Sequence, residues 1–410
     1  MSNYSQTIKS KDLKLFDKSK PHLSKLDIEL TERCNNNCIH CCINQPQDDE
    51  DARHRELGTA QIKRLVDEAA ELGCMTIRYT GGEPLLREDF NELYLYTRKK
   101  GIKVIVFTNA TLIDQDLIDL WLKYPPGVVI EVTVYGMTRE TYESVSRVKG
   151  TFDAAFRGIH LLLDNNIPFV VKQPWLPQTQ NQREQFEAWA ATIPWMENNP
   201  PRYSYYFDLR GRRDSESANE RIRSLRPSVK EGVDFNMRYP EVHIKEMQRF
   251  CDKFMKPPGD RLFSCGAGVN GGTIDAYGWF QMCMTVRHPE FTVDVREGGL
   301  RKALEEVFPR LRETRATNPE FLNRCAKCFL KGLCEQCPGK SWAETGTLDT
   351  PIDYLCDVAH EHARRLGLLK DGEQGWTVED WRGRIDEFVK KDVDEIKQNL
   401  PRNVLCGYEN

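Results

Sequence analysis

No stretch of this 410-residue chain approaches the ~20 consecutive apolar residues that a membrane-spanning helix needs, so no span is expected. A basic excess is missing too: 58 lysines and arginines face 62 aspartates and glutamates, for a formal charge of −4. That balance provides no field for nucleic acid or for an anionic membrane surface. The N-terminus, MSNYSQTIKSKDLKLFDKSK, lacks the apolar core of a secretory signal. Repeats and low-complexity tracts are also wanting. These absences predict a soluble, cytoplasmic protein, where structural disulfides are not expected. The chain nevertheless carries 14 cysteines, and 12 of them lie in or near two clusters. Metal binding is the leading reading.

At 410 residues and 40% hydrophobic, the chain can bury a sizeable core and accommodate two domains. Residues 1–25 read as a polar N-terminal arm. From 26 to about 210, strand and helix patterns alternate. LDIEL (26–30), MTIRYT (75–80), KVIVFT (103–108), VVIEVTVYG (128–136), PFVVK (168–172) and YSYYFD (203–208) read as strands. Helical spacing at 59–73, 88–101, 114–123, 152–164 and 182–192 separates them. The pattern predicts an α/β fold whose right-handed crossovers curl a parallel sheet into a partial (β/α)6 barrel. Strands this apolar predict burial on both faces. Residues 211–264 read as a connection, charged and superficial over 211–235, with a helix near 240–256. Residues 265–356 are rich in Gly and Cys and show little periodicity beyond a helix at 300–313; such modules need metal to fold. Residues 357–410 form a C-terminal tail with helices at 357–368 and 377–396.

The first cluster, TERCNNNCIHCC (31–42), places Cys34, Cys38 and Cys41 as CxxxCxxC directly after the first strand. Three thiolates on one tight loop suit a cubane cluster with its fourth iron open, whereas zinc loops usually pair C-x2-C units. Asn35, Asn36 and Asn37 suit a tight loop because asparagine tolerates turn conformations. GGEP (81–84) follows the second strand. In register, these motifs resemble the radical S-adenosylmethionine (SAM) superfamily; a zinc loop beside an unrelated turn is the alternative. The resemblance implies that the open iron chelates SAM. Gly81 and Gly82 would then let the backbone approach it, and Glu83 would meet its amino group. It implies ribose or other SAM contacts at Thr133, Asn109 and Gln173, at the C-terminal ends of strands; each could equally be a solvated loop polar. Cys42 stands where the family usually has an aromatic residue and reads as a small buried hydrophobe.

The second cluster runs Cys265-x12-Gly278-x4-Cys283, then Cys325-x2-Cys328-x5-Cys334-x2-Cys337, then Cys356 after 18 more residues. This resembles the SPASM extension of radical SAM enzymes, with one x2 gap where the family usually has x3. The resemblance implies a C-terminal Cys-rich SPASM iron–sulfur module followed by C-terminal helices. Cys325, Cys328, Cys334 and Cys356 would hold an outer auxiliary 4Fe–4S cluster, and Cys265, Cys283 and Cys337 an inner one. That makes three 4Fe–4S clusters with the SAM-binding one. The inner set lacks an obvious fourth ligand; Cys251, a non-cysteine group or an open iron are the options. Two zinc knuckles are the plainer alternative. Cys74, Trp175, Tyr205 and Tyr206 read as packing, and Cys406 as an idle tail thiol or a hydrogen donor.

The resemblance further implies a radical SAM/SPASM peptide maturase that crosslinks, epimerises or rearranges a ribosomally made precursor peptide. A separate leader-recognition protein is expected, since 25 residues cannot form such a domain, as is an electron donor such as flavodoxin or ferredoxin. Alternatives are a small-molecule radical dehydrogenase, a sulfatase-type maturase (disfavoured by Met284 after Cys283) and a non-catalytic metal scaffold.

Overall fold

The computed structural model describes residues 22–196, 200–398 and 400. Most of the expected arm, and Cys406, lie outside the described residues. Nine strands form one sheet: β1 Lys25–Thr31, β2 Thr76–Gly81, β3 Lys103–Thr108, β4 Gly127–Thr133, β5 Phe169–Pro174, β6 Arg202–Ser204, β7 Gly271–Ile274, β8 Trp279–Gln281 and β9 Thr292–Asp294. Their order is β9-β8-β7-β1-β2-β3-β4-β5-β6. β1 to β6 run parallel, as the alternating pattern predicts, with helices between them.

The strands alternate in character. Leu26, Ile28, Ile77, Tyr79, Val104, Val106, Ile130, Val132, Phe169 and Val171 are all buried. Their face packs on the helices: Tyr79 hydroxyl meets Thr97 Oγ1 at 2.5 Å on the helix Phe90–Lys99. The opposite parity carries Asp27, Glu29, Arg78, Phe107, Glu131, Thr133 and Lys172. Asp27 pairs with Arg78 and Glu131 with Lys172, while Arg78 and Lys172 flank the Phe107 ring at 4.6 and 3.5 Å. Apolar burial on both faces is therefore not found. The lumen is a polar layer, tolerable because opposite charges and an aromatic face satisfy one another.

The Cys-rich segment does not stand apart from the barrel. β7 pairs in parallel with β1, Asp27 opposite Thr273, and the β7–β8–β9 meander extends the sheet. Leu262, Ile274, Phe280, Phe291 and Phe308 join the barrel's core. Cys328, Phe329 and Leu330 instead pack with Val233, Ile244 and Cys251 and with Leu366, Ile385 and Phe388 of the tail. Residues 211–235 are helical rather than a bare connection: Glu216–Ser224 is capped by Ser215, and Val229–Asn236 by a Ser228–Glu231 capping box. Their few apolar residues, Ile222, Val233 and Phe235, are buried, which a charged composition disguised. The tail helix Asp353–Arg365 starts earlier than expected and contains Cys356, and the last expected helix divides into Trp381–Lys390 and Val393–Lys397. Among the described residues, no helix is long and apolar enough to cross a membrane.

Candidate active site

Cys34 ends a two-residue strand, Arg33–Cys34, that pairs with Gln45–Pro46 and closes the intervening loop. Asn37 and Ile39 N–H groups donate to the carbonyls of Ser146 and Val145 at 2.9 and 3.0 Å. Arg147 donates to the Asn37 carbonyl at 2.6 Å. The three asparagines lie in this loop, none of them with positive φ. Asn35 and Asn37 act through their amides: Asn35 accepts from Asn109 Nδ2 at 2.8 Å and donates to Thr111 at 2.7 Å, and Asn37 Oδ1 accepts from Arg147. The Asn36 amide is 2% exposed with neither polar atom partnered, and His40 Nδ1 is likewise buried and unpartnered. His40 lies between the second and third cysteines, its ring 5.3 Å from Phe207 and 5.9 Å from Tyr135.

The thiols lie near enough to act on one another. Burial, then Glu83 and Cys38, push Cys34 upward, and burial with Cys41 pushes Cys38 up to about 12. Such a set keeps its protons until a cation displaces them. Among the described residues, no three Cys, His, Asp or Glu side chains converge as a single ion requires; a cubane is a body around which its thiolates stand. Spaced thiols with orphaned polar atoms among them fit a cluster carrying a polar ligand.

Gly81 and Gly82 are committed to this loop. A Cβ on Gly81 (φ +132°) would lie 2.0 Å from the Thr31 carbonyl oxygen, and one on Gly82 2.2 Å from that of Arg33. Gly82 and Glu83 N–H groups donate to Thr31 and Arg33 at 2.8 and 2.9 Å. The Glu83 carboxylate accepts from Leu85 N–H (3.1 Å), Thr108 hydroxyl (2.8 Å) and Asn109 N–H (2.7 Å). Burial pushes its pKa up to about 7 against these bonds. Asn109 Oδ1 accepts from Thr111. Glu83 and Asn109 thus tie β2, β3 and the thiol loop together. Thr133 is half-buried on the lumen parity of β4. Gln173 shares the helix-facing parity of Phe169 and Val171, is 1% exposed, and has both amide atoms unpartnered.

Cys325, Cys328, Cys334 and Cys356 line a single cavity, with Cys337 also on its wall beside Leu262, Phe321, Leu330, His360 and Trp376. Burial pushes Cys325 up to about 11 and Cys328 and Cys334 up to about 12. Cys337 is raised by burial and by neighbouring Cys283, so it lies near both this cavity and Cys283. Gly268 N–H donates to the Met282 carbonyl at 3.1 Å, bringing the exposed Cys265 turn to the Cys283 segment. Cys251 packs in a different apolar cluster from Cys283, and burial alone raises its thiol to about 12.

Between the thiol loop and these segments lies a chamber walled by Cys42, Ile43, Leu209, Met284 and Thr285, with Asp208, Lys340, Arg226, Glu344 and Arg287. Its charges pair within the protein. Lys340 meets Asp208 at 3.2 Å and Glu335 at 2.6 Å, and Arg226 meets Glu344 at 2.6 Å. Arg287 meets Glu29 and Glu32, which with Asp275 and Arg212 form one buried network. Sequence reading missed these residues, whose only signal is a scatter of charges remote from one another in the chain. His40 was missed as well, although its place between Cys38 and Cys41 was a signal.

Residues 28–190 match the radical SAM superfamily. They are a radical SAM domain. Over most of its length, that domain included, the chain is 29% identical over 367 residues to the Fe-coproporphyrin III synthase of Methanosarcina barkeri, covering 80% of this chain and 86% of that protein. It is 28% identical over 356 residues to the mycofactocin maturase MftC of Mycolicibacterium smegmatis, covering 79% of each. SuiB of Streptococcus suis, solved bound to S-adenosylmethionine, has the same fold at a TM-score of 0.60 and 16% identity, over 82% of this chain and 77% of that one. SuiB has also been solved bound to the precursor peptide SuiA, with a TM-score of 0.55 and 15% identity over 82% and 76% of the two chains. The radical SAM domain contains the first thiol loop, the Gly81–Glu83 segment and strand ends β2 to β5. The auxiliary cysteines lie C-terminal to it, joined to its sheet through β7.

Proposed function

We propose that this chain is a radical SAM enzyme that modifies a ribosomally made precursor peptide, with three 4Fe–4S clusters. Cys34, Cys38 and Cys41 hold the SAM-binding cluster. Cys325, Cys328, Cys334 and Cys356 hold the outer auxiliary cluster, and Cys265, Cys283 and Cys337 the inner one. When bound, the first cluster and SAM supply a 5′-deoxyadenosyl radical for hydrogen-atom abstraction. The chain's own residues position and shield that chemistry. Arg147 and the Asn35–Asn109–Thr111 chain fix the thiol loop. Asn36 and His40 offer unpaired polar atoms to a bound ligand, and Thr133 faces the lumen; Gln173, on the helix-facing side of β5, is not placed for the SAM contact expected of it. Ile43, Leu209 and Met284 keep water from the chamber.

The observation that carries this reading is the chamber between the first thiol loop and the auxiliary segments. Its ionic groups are paired internally, so a neutral peptide side chain can enter without leaving a buried charge unmatched. An electron donor such as flavodoxin or ferredoxin and a separate leader-recognition protein complete the proposal. A tetrapyrrole substrate is the second reading, favoured by the 29% identity to the Fe-coproporphyrin III synthase; the paired charges weigh against a ligand bearing several carboxylates. Anaerobic turnover of the reduced, reconstituted protein separates the two. The expected result is SAM cleavage with a mass change in a precursor peptide encoded beside this chain. Turnover of iron coproporphyrin with every such peptide unchanged would overturn the peptide reading.

A further inference from the structure

Cys356 differs from the other thiols of its cavity in what surrounds its sulfur. Arg324 Nη2 donates to Cys356 Sγ at 3.5 Å. His360, one helical turn further along, places Nδ1 3.5 Å from the same sulfur and 2.7 Å from the Cys356 carbonyl. The tautomer follows from the far side of the ring: Gly375 N–H donates to His360 Nε2 at 2.9 Å. Nε2 therefore carries the lone pair, and the Nδ1 hydrogen goes to the Cys356 carbonyl, which holds the ring edge beside the sulfur. Arg324 is the donor to the sulfur itself, and both side chains are held rigidly. Arg324 also bonds Glu320 and, at 3.0 Å, Asp353, while its guanidinium lies 5.1 Å from the Trp376 ring. That ring stands edge-on to His360 at 5.2 Å. Trp376 and its apolar neighbours keep the surroundings of low polarity, where a directed donor counts for more than in water.

We infer that Arg324 is a positioning residue that raises the reduction potential of the outer auxiliary cluster by donating to the sulfur of Cys356, while His360 braces the Cys356 backbone beside it. Donors aimed at a ligating sulfur draw off electron density and favour the more negative, reduced state, and a neighbouring guanidinium charge acts in the same direction. The inference rests on the reading that Cys325, Cys328, Cys334 and Cys356 hold a cluster. Neither residue belongs to the cysteine pattern, so the pattern alone assigns them nothing.

The test is an anaerobic redox titration of the reconstituted full-length protein, followed by electron paramagnetic resonance with iron assayed in parallel. In Arg324→Met, one auxiliary signal should become about tenfold harder to reduce at fixed potential, which is 59 mV for a one-electron couple, with iron unchanged. His360→Leu should shift the signal less than Arg324→Met does, since the His360 hydrogen goes to the Cys356 carbonyl. Arg324→Lys, which restores an N–H donor and the charge, should recover most of the shift. An unchanged potential in Arg324→Met at full iron content would overturn the inference. If Arg324→Met sheds iron, Arg324→Gln decides: it removes the charge, so a shift of the same sign supports the role, and wild-type behaviour at full iron content would refute it. A wild-type protein saturating at the iron of a single cluster would instead remove the auxiliary cluster reading itself.

Discussion

Gly82 has no room for a side chain, and the obstacle is the thiol loop. A Cβ there would press on two carbonyl oxygens, 2.2 Å from Arg33 and 2.5 Å from Glu32. Gly82→Ala is expected to cost upward of ~3 kcal/mol and to lower the iron bound by the first loop, read by thermal melting and iron assay. Glu83 yields a pH signature. Its folded pKa of about 7 lies above the ordinary 4.5, so the native state holds a proton that the unfolded chain releases. Stability is then highest below 4.5 and falls as pH rises through about 7, by on the order of 3 kcal/mol. Urea midpoints across that window should fall more steeply in the wild type than in Glu83→Gln, where Glu29 and the buried histidines still titrate; equal slopes would refute this assignment. The cysteine spacing and the GGE stretch were legible one residue at a time. That the glycines meet Thr31–Arg33, and that Glu83 braces Asn109, was not, because both depend on which backbone lies across from β2.

At the scale of elements, the six strands and most helices were readable because alternation and helical spacing are local patterns. The charged lumen was misjudged because Asp27, Arg78, Glu131 and Lys172 look like surface residues until they meet one another. The junction between barrel and auxiliary segment depends on Arg287, buried against Glu29 and Glu32. Arg287→Met is expected to destabilise the fold by ~3–5 kcal/mol, since it strands the buried Glu29 carboxylate, Glu32 keeping Arg212. Calorimetry should show the barrel and the β7–β9 meander melting together at the lower temperature. Retention of the wild-type midpoint would show that the network carries no structural weight. Cys251→Ala is expected to leave auxiliary iron and its absorbance intact, because Cys251 packs among the C-terminal helices rather than with Cys283.

For the whole molecule, the proposal of three clusters sets the iron content at about twelve per chain, four per cluster. Replacing Cys34, Cys38 and Cys41 together by Ala is expected to remove about four irons and abolish 5′-deoxyadenosine formation, measured by chromatography after anaerobic reduction. Persistent SAM cleavage in that variant would refute the assignment of the first loop. The sequence by itself determined the barrel's order of strands and the place of the thiol loop after β1, because each is written in spacing over a few tens of residues. Tertiary structure alone decided that the Cys-rich segment shares the barrel's sheet and core, that Arg324 and His360 attend Cys356, and that the chamber's charges are paired. The physical reason is distance along the chain: Arg287 meets Glu29 across 258 positions, and a contact of that span leaves no local pattern to read.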